Sequence, residues 1–70
     1  MATVARVTEI SATSLESFED AVKIGVERAS ATLRNVSGAW VKEQSIVVKE
    51  GNIAGYQVNL LITFVLEDPK

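Results

Sequence analysis

The stretch YQVNLLITFVL, residues 56–66, decides the fold of this chain. Every second residue from Tyr56 to Leu66 is apolar, a spacing that predicts a β-strand with one buried face. We extend this strand over residues 53–67. The intervening residues form its other face: Gln57, Asn59, Leu61, Thr63 and Val65. That face is too apolar to contact only water and too polar for a core, which indicates a subunit interface containing a small-molecule site.

A second strand is predicted over residues 39–49, joined to the last strand by the turn KEGN. Gly51 in this turn is free to adopt a positive φ. Apolar residues occupy both parities of the second strand, so it is covered in part on both faces or contains a bulge. Simple alternation places Trp40 on the same face as Gln44.

Upstream, a helix is predicted over residues 15–34. Its apolar residues recur at three- and four-residue spacing and form a single stripe: Phe18, Ala21, Val22, Gly25, Val26, Ala29 and Leu33. The small residues on this stripe allow the helix to approach a sheet closely. Thr13 and Glu16 have capping-box spacing, with Ser14 as a rival N-cap. Arg34 is expected to close the helix near its negative end.

The first strand is predicted over residues 3–10, TVARVTEI. The order is therefore β-α-β-β, and the helix returns the chain so that the first two strands run parallel. The third strand fits between them. We therefore predict an α+β fold: a three-stranded antiparallel sheet in the order 1-3-2, wrapping one helix, in a single domain spanning residues 1–70.

Composition limits the possible functions. A chain of 70 residues, 47% of them apolar, has a marginal core, since it buries only about 60% of the surface that its unfolded form exposes. It has no cysteine for a disulfide, so oligomerisation is the leading route to stability. It also has no histidine to activate its serines and threonines. We expect a non-enzymatic, self-associating protein.

Charge and hydropathy exclude other partners. The net charge is −2 and no basic run occurs, so nucleic-acid binding is not expected. The most apolar segment, VNLLITFVL, is far shorter than the ~18 residues of a membrane span. The N-terminal MATVARV lacks the long apolar segment of a signal peptide. A cytoplasmic protein is expected.

Three segments resemble the dodecin family: ISATSLESFEDAVKIGVERASATLRNV (10–36), EQ (43–44) and GYQVNLLITFVLED (55–68). The resemblance extends over about residues 4–67 without gaps between Thr13 and Val58. It implies β-α-β-β subunits that assemble as hollow homododecamers of tetrahedral symmetry. It also implies binding of paired flavins near two-fold axes, for storage or buffering rather than catalysis.

The resemblance also implies site residues. In dodecins the flavin stacks on a strand-two tryptophan, and a glutamine in the YQV motif bonds its polar edge. Gln57 matches that glutamine. In the ungapped register Gly38 occupies the tryptophan position, and Trp40 stands where many flavin-binding members have glutamate. The candidate flavin-binding residues are therefore Trp40, Gln57, Gly38 and Gln44.

The same register predicts which flavin is preferred. Ser45 and Val65 stand where members that bind phosphorylated flavins tend to carry arginine. We therefore expect riboflavin or lumichrome-like ligands to bind better than FMN.

Each of these residues also has a structural interpretation. Trp40 either offers a stacking plane over the space at Gly38 or anchors an interface. Gln57 either binds ligand or makes an inter-subunit hydrogen bond, and Gln44 is alternatively a polar residue of a strand edge.

The function has alternatives as well. One is a structural dodecameric shell that lacks a flavin site. Another is a calcium- or cation-binding assembly that uses the carboxylates Glu16, Glu19 and Asp20. The helix dipole explains these carboxylates more simply, and no metal ligand is assigned.

Overall fold

The computed structural model describes residues 3–66 and contains three strands and one helix. In chain order these are β1 (Ala5–Ser14), α1 (Phe18–Thr32), β2 (Val36–Lys49) and β3 (Asn52–Val65). The strand order is β1-β3-β2, and both outer strands are antiparallel to β3. The predicted α+β fold and strand order are confirmed. Residues 67–70, including the predicted end of the last strand and the EDPK tail, lie outside the described residues.

The core lies between α1 and one face of the sheet. Val58, Leu60 and Ile62 of β3 are fully buried against the helix stripe, in which Ala21 and Ala29 are buried. Gly25 is buried on the same stripe. A Cβ atom built on Gly25 would lie 2.7 Å from Cδ1 of Leu60, so the close approach of helix and sheet depends on this glycine. The predicted apolar stripe is confirmed.

The start of the helix differs from the prediction. Ser17 is the N-cap, and its side chain accepts a hydrogen bond from the Asp20 amide at 2.9 Å. Thr13 remains in β1, paired with Gln57, so the predicted capping box is wrong. Ser14 is buried and braces the turn, because its hydroxyl donates to Asp20 Oδ2 at 2.6 Å and accepts from the Glu16 amide at 2.9 Å. Strand β1 ends four residues later than predicted, at Ser14, and α1 therefore begins later, at Phe18.

The helix also ends earlier than predicted. It stops at Thr32, and the amide of the C-cap residue Leu33 donates to the Ala29 carbonyl at 2.8 Å. The last turn contains no basic residue, so the expected role of Arg34 is wrong. Asn35 adopts a φ of 60° and turns the chain into β2, which begins three residues before its predicted start.

Strand β2 contains the bulge that its mixed pattern allowed. Val41 pairs with Leu60 and Glu43 with Asn59, so Lys42 is the extra residue. The bulge reverses the side-chain alternation. Trp40 therefore lies on the face away from α1, whereas Gln44 pairs with buried Val58 on the helix side. The predicted shared face of Trp40 and Gln44 is wrong.

Strands β2 and β3 form a long hairpin closed by Glu50 and Gly51. Both residues have positive φ, 52° and 78°, as a two-residue type I′ turn requires. The predicted turn and the positive φ of Gly51 are confirmed. The long hairpin gives the molecule an elongated shape, 55 × 19 × 13 Å. Within residues 3–66, no helix has the length and apolar content needed to span a membrane.

Candidate ligand site on the open sheet face

The candidate site lies on the face of the sheet opposite α1, which we call the open face. Cross-strand partners share a face in an antiparallel sheet, so the residues paired with Leu61 and its alternating neighbours on β3 define it. On β2 the open face carries Gly38, Trp40, Glu43 and Ser45, and on β1 it carries Val7, Glu9, Ser11 and Thr13. The predicted second face of β3 therefore forms its centre.

Trp40 is the most prominent aromatic side chain of this face. It pairs with Leu61 and is 76% exposed in the single chain. Gly38, two residues earlier, pairs with Thr63, and a Cβ atom built on Gly38 would have no other atom within 4 Å. The indole and the position without a side chain therefore lie side by side on one face of the sheet.

Polar side chains connect the three strands around the indole. Lys42 Nζ lies 3.2 Å from Glu9 Oε1, so this ion pair crosses the central strand. Asn59 Nδ2 donates to Glu43 Oε1 at 3.2 Å. Sequence reasoning did not identify these two pairs, because their partners come together only through the bulge at Lys42 and the strand register.

Gln57 lies on the same face but at some distance from Trp40. Its side-chain Nε2 donates to Ser11 Oγ at 3.0 Å. Along β3 it is four residues from Leu61, the cross-strand partner of Trp40, which corresponds to about 13 Å. A ligand that contacts both side chains must be as long as this separation or must take them from two copies of the chain.

Of the four predicted site residues, the structure brings Gly38 and Trp40 together. It places Gln57 on the same face, further along the sheet. Gln44 lies on the helix side, paired with Val58, and is separated from the other three by the sheet itself.

The acidic residues at the start of α1 were the candidate for a cation site. Glu16, Glu19 and Asp20 line a cavity of about 310 Å³. One carboxylate oxygen of Asp20 accepts a hydrogen bond from the Ser14 hydroxyl, and the backbone amide of Asp20 donates to the hydroxyl of the N-cap residue Ser17. Among the described residues, no group of three or more histidine, cysteine, aspartate or glutamate side chains is arranged to hold a metal ion.

Comparison with protein families gives a match to the dodecin family over residues 4–67. The chain belongs to the dodecin family. The resemblance identified from the sequence is thus confirmed at the family level. No curated protein matches the chain significantly.

Solved structures of several dodecins resemble this one. The dodecin of Streptomyces coelicolor is 36% identical, with 96% of each chain covered and a TM-score of 0.88. A Thermus thermophilus dodecin with an arginine-to-alanine substitution is 34% identical, covering 96% of this chain and 100% of its own, with a TM-score of 0.87. A Mycobacterium tuberculosis calcium dodecin, described as calcium-chelating with a novel calcium-binding site, is 31% identical, with 96% of each chain covered and a TM-score of 0.80.

Proposed function

We propose that this dodecin is a cytoplasmic, homo-oligomeric protein that binds a small planar ligand for storage or buffering. Unphosphorylated flavin of the riboflavin type is the first candidate. The observation that carries this proposal is the 76% exposure of Trp40 beside the open space at Gly38. An exposed indole next to a position without a side chain offers an aromatic plane and the room to occupy it.

The proposed assembly is a homododecamer, as the family resemblance implies. The single chain has few fully buried side chains, and its accessible surface of 5433 Å² exceeds the about 4300 Å² expected for a compact protein of its mass. Large apolar side chains contribute to the exposed surface, since Trp40, Val7 and Val48 are each more than half exposed. Association would remove these side chains from water.

Assembly would also complete the ligand site. A two-fold contact between open faces places the same patch on both subunits and would bring two indoles and two Gln57 side chains around one axis. Within one chain, Gln57 lies about 13 Å along β3 from Leu61, the cross-strand partner of Trp40. This separation favours a site that takes the indole and the amide from different copies. The exposed bond from Gln57 to Ser11 leaves the amide free to exchange its hydroxyl partner for a ligand atom.

Catalysis forms no part of the proposal. A stacking plane and an amide bind and orient a heterocycle but do not transfer protons or electrons to a second substrate. The charged side chains of the described open face are engaged with each other or with amides: Lys42 with Glu9, and Glu43 with Asn59.

Absorbance and sedimentation of the purified protein test the proposal together. A bound flavin makes the protein yellow, either as isolated or after riboflavin is added and the excess is removed by gel filtration. Sedimentation velocity at micromolar concentration should show a species near twelve chains. A stable folded monomer would contradict the assembly. An oligomer that stays colourless after riboflavin loading would instead support the structural shell.

A further inference from the structure

On one side of Trp40, the open face is mainly apolar. Trp40 and Leu61 are cross-strand partners, and the next row of partners towards the start of β2 joins Gly38, Thr63 and Val7. Val7 is 55% exposed, and Gly38 contributes no side chain. A ring that extends from the indole over this row meets an isopropyl group, an open position and a single hydroxyl group.

On the other side of Trp40, the open face is polar. The next row joins Glu43 and Asn59, and the side chain of Asn59 is half-buried. Asn59 lies two residues from Leu61 along β3, about 7 Å, whereas Gln57 lies about 13 Å from Leu61. Within one chain, Asn59 is therefore the nearer side-chain amide to Trp40 along β3.

Glu43 determines how the amide of Asn59 is oriented. Nδ2 of Asn59 donates a hydrogen bond to Oε1 of Glu43 at 3.2 Å. A carboxylate only accepts hydrogen bonds, so the amide nitrogen, and not the carbonyl oxygen, faces Glu43. Among the described residues, the Oδ1 atom and the second N–H of Asn59 make no further hydrogen bond. The side chain therefore offers one acceptor and one donor to a ligand.

We propose that Asn59, oriented by Glu43, hydrogen-bonds the polar edge of a ring stacked on Trp40 and selects ligands that carry an N–H group beside a carbonyl group on that edge. The inference rests on the proposed function and adds to it the selecting residue and the chemistry of the selected edge. The ligand N–H donates to Oδ1 of Asn59, and the ligand carbonyl accepts from the second N–H of the amide.

The two sides of the face match the two ends of such a ring. A flavin ring has a dimethylbenzene end and a pyrimidine end that carries an N–H between two carbonyl groups. With the pyrimidine end at Asn59, the dimethylbenzene end lies towards Gly38 and Val7, on the apolar side of Trp40. Neither end is then placed against surface of the opposite polarity.

A ligand without the ring N–H should bind poorly. The stacked ring would remove water from Oδ1 of Asn59 and leave this acceptor without a donor, which weakens binding. A site that hydrogen-bonds a ligand donor also rejects analogues that lack the donor more strongly than an apolar pocket rejects a ligand of the wrong size. Discrimination between two ligands that differ only at this N–H therefore reports directly on the proposed contact.

Lumiflavin and its N3-methyl derivative are suitable probes. Lumiflavin has the flavin ring without ribityl hydroxyl groups, and its only N–H is at N3. Titration of the wild type, followed by quenching of ligand fluorescence, should give at least about tenfold weaker binding of the methylated ligand. Asn59→Leu has a similar shape without polar atoms. It should bind lumiflavin more weakly than the wild type does, and it should bind the two ligands equally.

Thr63→Val is the matched control. Thr63 also lies two residues from Leu61 along β3, but on the other side, so loss of its hydroxyl should preserve the discrimination between the two ligands. Gln57→Leu examines the rival residue that the family resemblance implies. Sedimentation velocity first establishes that each variant assembles as the wild type does. If Asn59→Leu does not assemble or binds neither ligand, Asn59→Ala takes its place.

The outcomes separate this inference from the proposed function. An assembled Asn59 variant that still discriminates between the two ligands overturns the inference. Loss of discrimination in Thr63→Val also overturns it, because the polar edge then lies on the other side of Trp40. A wild type that binds both ligands equally overturns the inference and leaves the flavin site standing. A wild type that binds neither ligand overturns both the inference and the proposed flavin binding.

Discussion

Trp40 and Leu61 are direct cross-strand partners on the open face, and Glu9 lies on the far side of Leu61. These three residues therefore lie in line across the three strands, with an exposed indole on β2, an aliphatic side chain on β3 and a carboxylate on β1. As cross-strand partners, the aromatic and the aliphatic side chain form an apolar patch at the centre of this face. In the proposed assembly this patch is the part of the interface from which water is removed most completely.

Replacing Leu61 should therefore disrupt the assembly. Leu61→Glu introduces a second carboxylate beside Glu9, and the cation next to them, Lys42, is already paired with Glu9. An unpaired charge in a desolvated contact costs several kcal/mol, so we expect dissociation at micromolar concentration in sedimentation velocity. Leu15→Glu, at a position 82% exposed outside the sheet, is the matched control and should remain assembled. Unchanged assembly of Leu61→Glu would exclude the open face as an interface.

Gly25→Ala should destabilise the fold. The new Cβ would lie 2.7 Å from Leu60 Cδ1 and 3.2 Å from Ala12 Cβ. Leu60 is fully buried and has little room to move. Overpacking costs about 1–3 kcal/mol and the gain in helix propensity returns up to about 1 kcal/mol, so we expect a net loss near 1 kcal/mol in urea unfolding at fixed protein concentration. Ser30→Ala on the exposed side of α1 should not be destabilising. A more stable Gly25→Ala variant would show that helix and sheet separate readily.

Glu50→Asn should stabilise the hairpin. Glu50 adopts a φ of 52°, a conformation that costs most L-residues about 1–2 kcal/mol and that asparagine tolerates in type I′ turns. We expect a gain of about 0.5–1 kcal/mol in the free energy of unfolding. Glu50→Gln removes the same charge without the turn preference and should give little change. Equal gains from both variants would assign the effect to charge.

The predictable features were those carried by uninterrupted patterns. Alternation in β3 and the three- and four-residue stripe of α1 gave the fold class and strand order, because each pattern has one way to bury its apolar residues. The helix start was not predicted: the sequence analysis chose between Thr13 and Ser14, whereas Ser17 is the N-cap. Pairing of β1 with β3 continues to Ser14, so both candidates belong to the strand and the helix begins after them.

The site was predicted in part for a related reason. Gly38 and Trp40 lie two residues apart ahead of the bulge, so their shared face follows from strand geometry. Gln44 lies beyond the bulge at Lys42, and one extra residue moved it to the helix side. The Lys42–Glu9 ion pair joins residues of the two outer strands, and no local pattern in the sequence contains that information.

Flavin phosphates should bind less tightly than riboflavin. On the described open face, the cation Lys42 is already paired with Glu9, and Glu43 adds a negative charge to the same face. A phosphate group would therefore meet repulsion without a free cation. Titration with riboflavin, lumichrome and FMN, followed by quenching of ligand fluorescence, should give the weakest affinity for FMN. Ser45→Arg should reduce the difference, and Ser45→Gln serves as its uncharged control. Tighter binding of FMN to the wild type would show that a basic residue reaches the site.

The variant Trp40→Ala distinguishes two roles of this side chain, a stacking plane for a ligand and a structural anchor of an interface. If Trp40 only anchors an interface, Trp40→Ala should lower assembly stability by about 3 kcal/mol or more and leave riboflavin affinity unchanged wherever the protein still assembles. If Trp40 offers a partial stacking plane, as we propose, riboflavin affinity should fall modestly in the assembled variant. Sedimentation velocity and riboflavin titration at the same concentrations distinguish these results.

The most direct test of the account is a riboflavin fluorescence titration of the wild type beside the double variant Gly38→Trp with Trp40→Glu, in the same buffer. A side chain at Gly38 begins in open space, since its Cβ would meet no other atom within 4 Å, and the double variant rebuilds the arrangement that the family resemblance implies. We predict saturable quenching by the wild type and at least tenfold tighter binding by the double variant, about 1.4 kcal/mol, with both proteins sedimenting as the same oligomer. Tight binding by the wild type that is lost in a double variant of unchanged assembly would contradict the account, because Trp40 itself would then be the complete flavin platform.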